Sequence, residues 1–314
     1  MSRQILGIHH VTAFCADPQR NIDFYTGVLG LRLVKVTVNF DDPTTYHFYY
    51  GDGVGSPGSI LTFFAWPLGR KGRVGTPQVT ATAFAVPVGS LDYWRKRLAG
   101  AGVRVSEPRN RFGEQSLPFE DPDGLRLELV PTGGKIVGIP WRGNAVPAEH
   151  SIRSIRGITL AVEASEHTAS LLTKTMGFNL VAGEEPASRF KTGGGGSIVD
   201  VECLPGAPHG AMGVGVVHHV AWRVADQDAQ AEWRKTLVRT GANVSPFMDR
   251  KYFRSIYFRE PGGVLFEIAT DPPGFAVDEA EGELGTKLML PDRYEPARAE
   301  LERILPKVRL PSPG

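Results

Sequence analysis

One pattern of apolar and polar residues occurs four times along the chain. Each time a β-like apolar segment comes first, apolar residues at helical spacing follow and end near a glycine, and further β-like runs separated by turn residues come last. The four stretches cover about residues 6–66, 78–131, 154–204 and 214–271. This repetition predicts four β-α-β-β-β units, which are numbered below in chain order, and an α+β fold.

Residues that typically begin and end helices mark the predicted helix of each unit. Asp17, Ser90 and Ser165 precede the first three helices, and their side-chain oxygens are suited to accept a hydrogen bond from a free N–H group of the first turn. Gly30 and Gly177 lie where the first and third helices should end. We therefore expect helix N-caps at Asp17, Ser90 and Ser165.

The four units are not equally alike. Residues 29–34 (LGLRLV) are similar to residues 176–181 (MGFNLV), whereas 102–106 (GVRVS) are similar to 241–245 (GANVS). The order A-B-A-B indicates that a half made of two units was duplicated, and a stretch rich in Pro and Gly separates the halves. The predicted organisation is an N-terminal half over 1–135, a linker over 136–153, a C-terminal half over 154–275 and an extension with a short helix over 276–314.

The composition is that of an ordinary globular protein. The chain has 314 residues, of which 41% are hydrophobic and 22% charged, and its formal net charge is +1. So small a charge argues against nucleic acid or an anionic membrane as the main partner. The two cysteines, Cys15 and Cys203, cannot build a disulfide framework, and no signal peptide or membrane span is evident. We expect a cytoplasmic protein, and the sequence leaves homo-oligomerisation open.

Two copies of a His-His sequence carry the candidate metal ligands. They read GIHHVTAF from residue 7 and VVHHVAWR from residue 216, and each is followed by an aspartate seven residues beyond the second histidine. Glu267 ends the predicted hairpin of the fourth unit. His10, His219 and Glu267 together supply two imidazoles and one carboxylate, the ligand set that leaves half of an octahedral metal site open for substrate and oxygen.

The repeated unit and these ligand positions resemble the vicinal oxygen chelate superfamily, which includes glyoxalase I, bleomycin-resistance proteins and extradiol ring-cleaving dioxygenases. The resemblance covers about residues 6 to 271. It implies that the units pair into cupped mixed β-sheets, with one metal ligand on the first strand of a unit and one on the last. The corresponding pairs in the four units are His10 with Phe63, Ala81 with Glu128, Gly157 with Asp200, and His219 with Glu267.

Only the first and fourth units can then assemble a metal site, so we predict that the first pairs with the fourth and the second with the third. Phe63 stands where the first unit would carry a carboxylate. Three protein ligands leave room for a substrate and dioxygen, which favours iron(II) oxygenation over the isomerisation that glyoxalase I carries out with four protein ligands.

The segment IYFREPGGVLFE, from Ile256 to Glu267, matches most of the extradiol dioxygenase signature. If its turn centres on Pro261, Tyr257 faces Leu265 and lies one diagonal step from Glu267 on the same side of the sheet. The acid–base histidine of that signature is absent, because residues 248–250 are MDR. An arginine stays protonated and cannot act as a general base.

A narrower branch, the hydroquinone ring-cleaving dioxygenases, is similar to this chain in its His-His-Val-Thr start, the arginine before the Tyr hairpin, the glutamate and a C-terminal extension. That resemblance implies an iron(II)-dependent dioxygenase, with Mn(II) as the alternative ion, that opens the ring of a hydroquinone or related phenol with O2. The alternatives are a catechol extradiol dioxygenase, a glyoxalase-like isomerase or lyase, and a non-enzymatic ligand-binding protein.

The same resemblance suggests roles for the residues around the metal ligands. Tyr257, Arg250 and Thr12 are expected to orient the substrate and stabilise charge, although a surface ion pair is the plain alternative for Arg250. His9 and His218 should point to the opposite face from their neighbours, because successive residues of a strand alternate. We therefore expect them to be hydrogen-bonding groups behind the ligands rather than ligands.

Overall fold

The computed structural model describes residues 4–133, 138–194 and 196–312, which form two eight-stranded sheets. The first unit supplies β1 (Gly7–Cys15), β2 (Arg32–Val38), β3 (Tyr46–Gly51) and β4 (Ile60–Ala65), and the second supplies β5 (Gln78–Pro87), β6 (Arg109–Arg111), β7 (Glu114–Glu120) and β8 (Arg126–Thr132). The third supplies β9 (Ser154–Val162), β10 (Asn179–Glu184), β11 (Ala187–Lys191) and β12 (Ile198–Cys203), and the fourth supplies β13 (Val217–Val224), β14 (Met248–Asp249), β15 (Arg254–Arg259) and β16 (Leu265–Thr270).

Each unit has one helical segment between its first two strands. The α-helices are α1 (Pro18–Ile22), α2 (Leu91–Gly100), α3 (Glu166–Ser170), α4 (Gln227–Arg239) and, in the C-terminal extension, α5 (Arg298–Ile304). α1 and α3 continue as π-helical turns over Asp23–Val28 and Leu171–Thr175, and the extension adds 3-10 turns at Phe275–Val277, Glu281–Glu283 and Asp292–Ala297. In the part of the chain that the structure describes, no helix is long and apolar enough to cross a membrane.

The pairing of units follows from the strand order. The first sheet runs β14-β15-β16-β13-β1-β4-β3-β2 and the second runs β10-β11-β12-β9-β5-β8-β7-β6. The initial strands of two units meet antiparallel at the centre of each sheet, β1 with β13 and β5 with β9. The predicted pairing of the first unit with the fourth, and of the second with the third, is confirmed, as is the α+β class.

The helix caps differ from the prediction at two of three positions. The Asp17 side chain accepts a hydrogen bond from the backbone N–H of Arg20 at 2.8 Å, which confirms that cap. Ser90 and Ser165 precede α2 and α3 without capping them. Both serines already have helical backbone angles, whereas Asp17 is extended, and a side chain on a helical backbone does not reach back to the first-turn N–H groups.

The main apolar core lies between each sheet and its helices, while the other face of the first sheet carries polar side chains beside a smaller apolar cluster. On β4, Phe63 packs on Tyr25 of the first helical segment with ring centroids 4.7 Å apart. The preceding residue, Thr62, points to the opposite face and donates a hydrogen bond to Thr12 of β1 at 3.0 Å. Strand alternation thus separates the main core from the concave face that carries Thr12 and Thr62.

Acidic residues in two hairpin turns tie the units of each half together. Glu260, between β15 and β16, accepts hydrogen bonds from the backbone N–H groups of Gly262 and Val264 and from the Thr168 hydroxyl of the third unit. Asp121, between β7 and β8, likewise accepts from backbone N–H groups of its own turn and from the hydroxyl of Tyr25 in the first unit. The sheets therefore join units across the halves, and these turns join units within a half.

The C-terminal extension connects the two outer edges of the first sheet. The backbone N–H of Met289 donates to the carbonyl of Val36 on the edge strand β2 at 2.9 Å. Lys251, in the loop between β14 and β15 at the other edge, donates to the carbonyl of Leu290 at 3.1 Å. The Tyr294 hydroxyl donates to the carbonyl of Phe40, in the loop after β2, at 2.9 Å.

Candidate metal centre

β-Bulges place both histidines of each His-His pair at the same centre. The antiparallel register of β1 and β13 skips His9 in one strand and His218 in the other. A bulge inserts one unpaired residue and re-aims its neighbours, so strand alternation is broken at these two positions. His9 and His218 can therefore contact the adjacent histidine rings instead of pointing away from them.

The three predicted ligands meet on the concave face of the first sheet. Nε2 of His10 lies 3.4 Å from Nε2 of His219, and Oε2 of Glu267 lies 3.4 Å from the first nitrogen and 2.9 Å from the second. Ligand atoms about 2.1 Å from an ion on adjacent octahedral positions are about 3 Å apart. The triangle therefore fits one face of an octahedral metal site, and within the described residues it is the one such group of three donors.

The donor chemistry also fits a divalent cation. All three side chains are buried, and Oε2 of Glu267 accepts no hydrogen bond of normal geometry from the described residues. Burial would raise the pKa of Glu267, but the imidazoles of His10 and His219 hold it well below its usual value. Burial lowers the pKa of His219. An ionised carboxylate and a neutral imidazole are the forms that bind metals, and a cation there would satisfy the buried oxygen.

Hydrogen bonds behind the ligands fix their orientation. Nδ1 of His10 lies 2.9 Å from Nδ1 of His9, and Nδ1 of His219 lies 2.8 Å from Nδ1 of His218. Burial lowers the pKa of His9 well below its usual value and that of His218 to about 3, so both rings are neutral at pH 7. Each can accept a hydrogen bond from the Nδ1–H group of its neighbour, which leaves Nε2 of the ligand free to coordinate.

Ser255 of β15 holds the carboxylate in the same way. Its hydroxyl donates to Oε1 of Glu267, so only Oε2 faces the two imidazoles. Ser255 was not predicted from the sequence. The β15–β16 register pairs it with Ala269, two residues beyond Glu267, and that register could not be fixed from the sequence.

Tyr257 and Arg250 form one wall of the site. Tyr257 pairs directly with Glu267, not diagonally, because the hairpin centres on Gly262 and not on Pro261 as predicted. Nε of Arg250 donates to the Tyr257 hydroxyl at 3.2 Å. The remaining nitrogens of Arg250 bind the carboxylate of Asp41, in the loop after β2, at 3.0 and 3.2 Å.

The charge states of this wall follow from its environment. Burial raises the pKa of Tyr257, so its hydroxyl stays protonated. Burial would lower the pKa of Arg250, but Tyr257 and Asp41 together raise it. The wall therefore offers a fixed positive charge and a phenol hydroxyl beside the metal ligands.

The opposite wall was only partly found from the sequence. Thr12 pairs with Thr62, so Thr62 and not Phe63 stands where the first unit would carry a carboxylate. The error is one residue of register, which moves a side chain from one face of a strand to the other. Because Thr62 has a hydroxyl and not a carboxylate, we still expect three protein ligands.

His47 and Tyr49 of β3 complete this second wall. Nε2 of His47 lies 2.8 Å from the Thr62 hydroxyl, and its Nδ1 lies 2.9 Å from the Tyr49 hydroxyl. Neither residue was proposed from the sequence. Alternation along Tyr46–Gly51 puts both on one face, but it does not say that this face belongs to the metal site.

The space between the walls is narrow and partly apolar. The cavity measures about 30 Å³, and Phe40, Phe64 and Phe253 line it together with the polar residues described above. All eight residues singled out from the sequence lie around this centre: His9, His10, Thr12, His218, His219, Arg250, Tyr257 and Glu267.

The second sheet has a larger cavity, of about 440 Å³, but a different chemistry. Glu128 and Asp200 line it, and Asp200 is held by two hydrogen bonds from Arg189. None of its described lining residues is a histidine. This cavity has no ligand set of the kind found in the first sheet.

Comparison with known proteins agrees with this architecture. The model of the glyoxalase/bleomycin resistance protein/dioxygenase superfamily matches residues 7–129 and 154–268, and the chain belongs to that superfamily. The "Putative ring-cleaving dioxygenase MhqO" of Bacillus subtilis is 46% identical over 304 residues, which cover 96% of each chain. The "Chlorohydroquinone/hydroquinone 1,2-dioxygenase" of Sphingobium indicum is 34% identical over 319 residues, which cover 97% of each chain.

A solved structure is similar over nearly the whole chain. It is the crystal structure of a "putative dioxygenase from Bacillus subtilis", with a TM-score of 0.93 and 45% sequence identity. The alignment covers 98% of this chain and 99% of that one. The likeness therefore extends beyond the four units to the C-terminal extension.

Proposed function

We propose that this protein is a ring-cleaving dioxygenase that holds one iron(II) ion on His10, His219 and Glu267 and acts on a hydroquinone or related phenol. The observation that carries the proposal is the triangle of three buried donor atoms with a threonine hydroxyl in place of a fourth acidic ligand. Three protein ligands leave half of the coordination positions for a phenol oxygen and dioxygen. The names of the relatives support the same reaction class.

Bound iron(II) would supply a Lewis acid for the phenol and the electron transfer that dioxygen needs. The same donors also suit Mn(II), so the preference for iron rests on the proposed reaction and not on the ligand set. His9, His218 and Ser255 hold the three ligands in place from behind. The buried setting strengthens every charge interaction in the site.

Arg250 and Tyr257 are proposed to stabilise negative charge on the substrate. A guanidinium keeps its proton, so Arg250 can balance a phenolate or a developing oxyanion but cannot remove a proton. The Tyr257 hydroxyl, held by Arg250, is a second donor directed at the same region. Thr12 adds a small hydroxyl on the facing wall.

The position of Arg250 supports a para-diol as substrate. Catechol-cleaving members of the superfamily carry an acid–base histidine in this region of the sequence, and this chain has an arginine. The relative from Sphingobium indicum is named for hydroquinone substrates. We further propose the cytoplasm as its location, where Cys15 and Cys203 would remain thiols.

Oxygen uptake by the iron(II)-loaded protein tests this function. Hydroquinone and catechol are offered in parallel, and mass spectrometry follows label from isotopic dioxygen into the product. We expect faster uptake with hydroquinone and both labelled atoms in a ring-opened product. Faster uptake with catechol would move the protein to the catechol branch, and no uptake with any diol would remove it from ring cleavage.

A further inference from the structure

Four side chains form a continuous hydrogen-bonded chain along the wall that faces Arg250. The Tyr49 hydroxyl lies 2.9 Å from Nδ1 of His47, Nε2 of His47 lies 2.8 Å from Oγ1 of Thr62, and Thr62 lies 3.0 Å from Oγ1 of Thr12. Tyr49 and Thr12, the two ends, both line the cavity beside the metal ligands. This row of hydrogen bonds therefore has both of its ends at the cavity.

The sheet register builds this chain. Thr12, Thr62 and Tyr49 are direct cross-strand partners on β1, β4 and β3, and His47 lies two residues from Tyr49 on the same face. Their exposed fractions are 0%, 0%, 2% and 8% in that order, so bulk water does not compete for these hydrogen bonds. In a row of buried hydroxyl and imidazole groups, each hydrogen bond polarises the next and strengthens it.

One proton on His47 sets the direction of the whole row. Burial lowers the pKa of His47 well below its usual value, so the ring is neutral and has one N–H group. With the proton on Nε2, His47 donates to Thr62, Thr62 donates to Thr12, and the Thr12 O–H is free to point into the cavity. With the proton on Nδ1, every bond reverses and the Tyr49 O–H is free instead.

We propose that Tyr49, His47, Thr62 and Thr12 form a proton relay that takes the substrate's hydroxyl proton at Thr12 and releases a proton at Tyr49. The proposal rests on the proposed function. Each O–H or N–H bond that forms along the row is matched by one that breaks, and His47 changes tautomer without changing charge. Passage of a proton in the opposite direction, from Tyr49 to Thr12, restores the starting state, and the carboxylic acid formed by ring cleavage can supply that proton.

Proton movement within the site is part of this reaction. Ring cleavage breaks one C–C bond, adds one oxygen atom of dioxygen to each of the two carbons and transfers the ring's electrons to dioxygen, and the carboxylic acid formed from a hydroquinone releases one proton at neutral pH. The proton lost when the phenol binds must therefore be accepted by a group of the site during the reaction. Arg250 cannot accept it. His9 and His218 are engaged with the Nδ1 atoms of the ligands, which leaves His47 as the neutral imidazole facing the cavity.

The Tyr49 hydroxyl can release a proton into the region where negative charge would develop on the substrate. Tyr257, Arg250 and Glu267 are the ionisable groups that interact electrostatically with the Tyr49 hydroxyl, and Arg250 is the one cation among them. A proton released from Tyr49 would reach the part of the substrate whose negative charge Arg250 and Tyr257 are proposed to stabilise. The two walls would thus act on one substrate from opposite sides.

Replacing Thr62 with Val tests the relay, because it removes one hydroxyl while keeping the shape of the side chain. We expect Thr62→Val to lower kcat for hydroquinone on the order of a hundredfold, the usual contribution of one proton-transfer group. The iron content and the affinity for hydroquinone without oxygen should stay at the wild-type level. Thr62→Ser, which restores the hydroxyl, should recover most of the rate.

Tyr49→Phe provides a second break in the row and should lower kcat in the same way. Tyr50→Phe is its matched control, because the Tyr50 hydroxyl lies on the opposite face of β3 and donates to Asn21 at 2.8 Å. Wild-type kcat in Thr62→Val, or an equal loss in Thr62→Ser and Thr62→Val, would overturn the relay alone. Absence of oxygen uptake in the wild type would overturn the proposed function, and the relay with it.

Discussion

Adjacent residues of this site have different roles because small changes of backbone register redirect their side chains. Nε2 of His10 points to the proposed metal position. His9, its neighbour at a bulge, forms a hydrogen bond with Nδ1, the other nitrogen of the same ring. Thr62 faces the site, while Phe63 packs in the core. Neighbouring residues of the site therefore make different contacts, and the effect of each substitution depends on the particular interaction that it removes.

Arg250→Met and Tyr257→Phe should slow turnover without releasing iron. Each removes one donor from the wall beside the metal ligands while leaving the ligands and their hydrogen bonds intact. We expect kcat for hydroquinone to fall on the order of tenfold to a thousandfold in each variant, the range for one positioned donor. Steady-state kinetics with iron analysis on the same preparations measures both quantities. Unchanged kcat in both variants would exclude this wall from the chemistry.

Residues with a repeated pattern could be predicted, and those defined only by register could not. His10 and His219 stand at matching places in two copies of one sequence, so the repeat identifies them. His47 and Ser255 have no such pattern, and their roles depend on which residue lies opposite them. The misplacement of Phe63 has the same cause, because a shift of one residue exchanges the two faces of a strand.

In each half, one hairpin turn contributes contacts that tie its two units together. Asp121 and Glu260 occupy equivalent turns, and each binds its own turn and a hydroxyl from the neighbouring unit. The Asp-Pro-Asp-Gly and Glu-Pro-Gly-Gly sequences indicated these turns, but their contacts with other units could not be deduced from local sequence. The serine caps were wrong for a related reason, since a cap depends on the backbone angles of the capping residue itself.

Asp121 should make the stability of the fold depend on pH. Burial raises the pKa of Asp121 to about 6, although backbone N–H groups and the Tyr25 hydroxyl oppose the shift. The folded chain then keeps a proton between about pH 4 and pH 6 that the unfolded chain loses. The free energy of unfolding should therefore fall as the pH rises through this window, by up to about 3 kcal/mol, and level off above it.

Urea unfolding of the wild type and Asp121→Asn at several pH values measures this effect. The variant has no carboxyl at this position, so the difference between the two unfolding free energies should change across the window and be constant above it. A difference that does not vary with pH would show that Asp121 has an ordinary pKa in the folded protein.

One sheet carries the candidate metal site, and the other has the same strand order without this group of donors among the described residues. The requirement that both histidines and Glu267 meet was enough to predict which units pair. The contacts of the C-terminal extension were not predictable, because they depend on where the edges of the first sheet lie. The division of the chain at about residues 135 and 153 stays a prediction.

The C-terminal extension binds elements that surround the site. Lys35 of β2 is fully buried and binds Asp278 and Glu279 of the extension, and Asp278 also binds Lys251 at 3.2 Å. The Tyr294 hydroxyl binds the carbonyl of Phe40, whose side chain lines the cavity. The extension therefore links both edges of the first sheet to the loop that carries Phe40 and Asp41.

The iron content of the protein and two variants tests whether Glu267 is a metal ligand. Wild type, Glu267→Gln and Glu128→Gln are loaded with iron(II) without oxygen, freed of unbound metal and analysed for iron per chain. Glu128 lies at the corresponding position of the second sheet, opposite Ala83 as Glu267 lies opposite Ala221, so it is a matched control. We predict one iron per chain in wild type and Glu128→Gln and a large loss in Glu267→Gln, which lacks one of the three donors. Equal losses in both variants, or undiminished iron in Glu267→Gln, would contradict it.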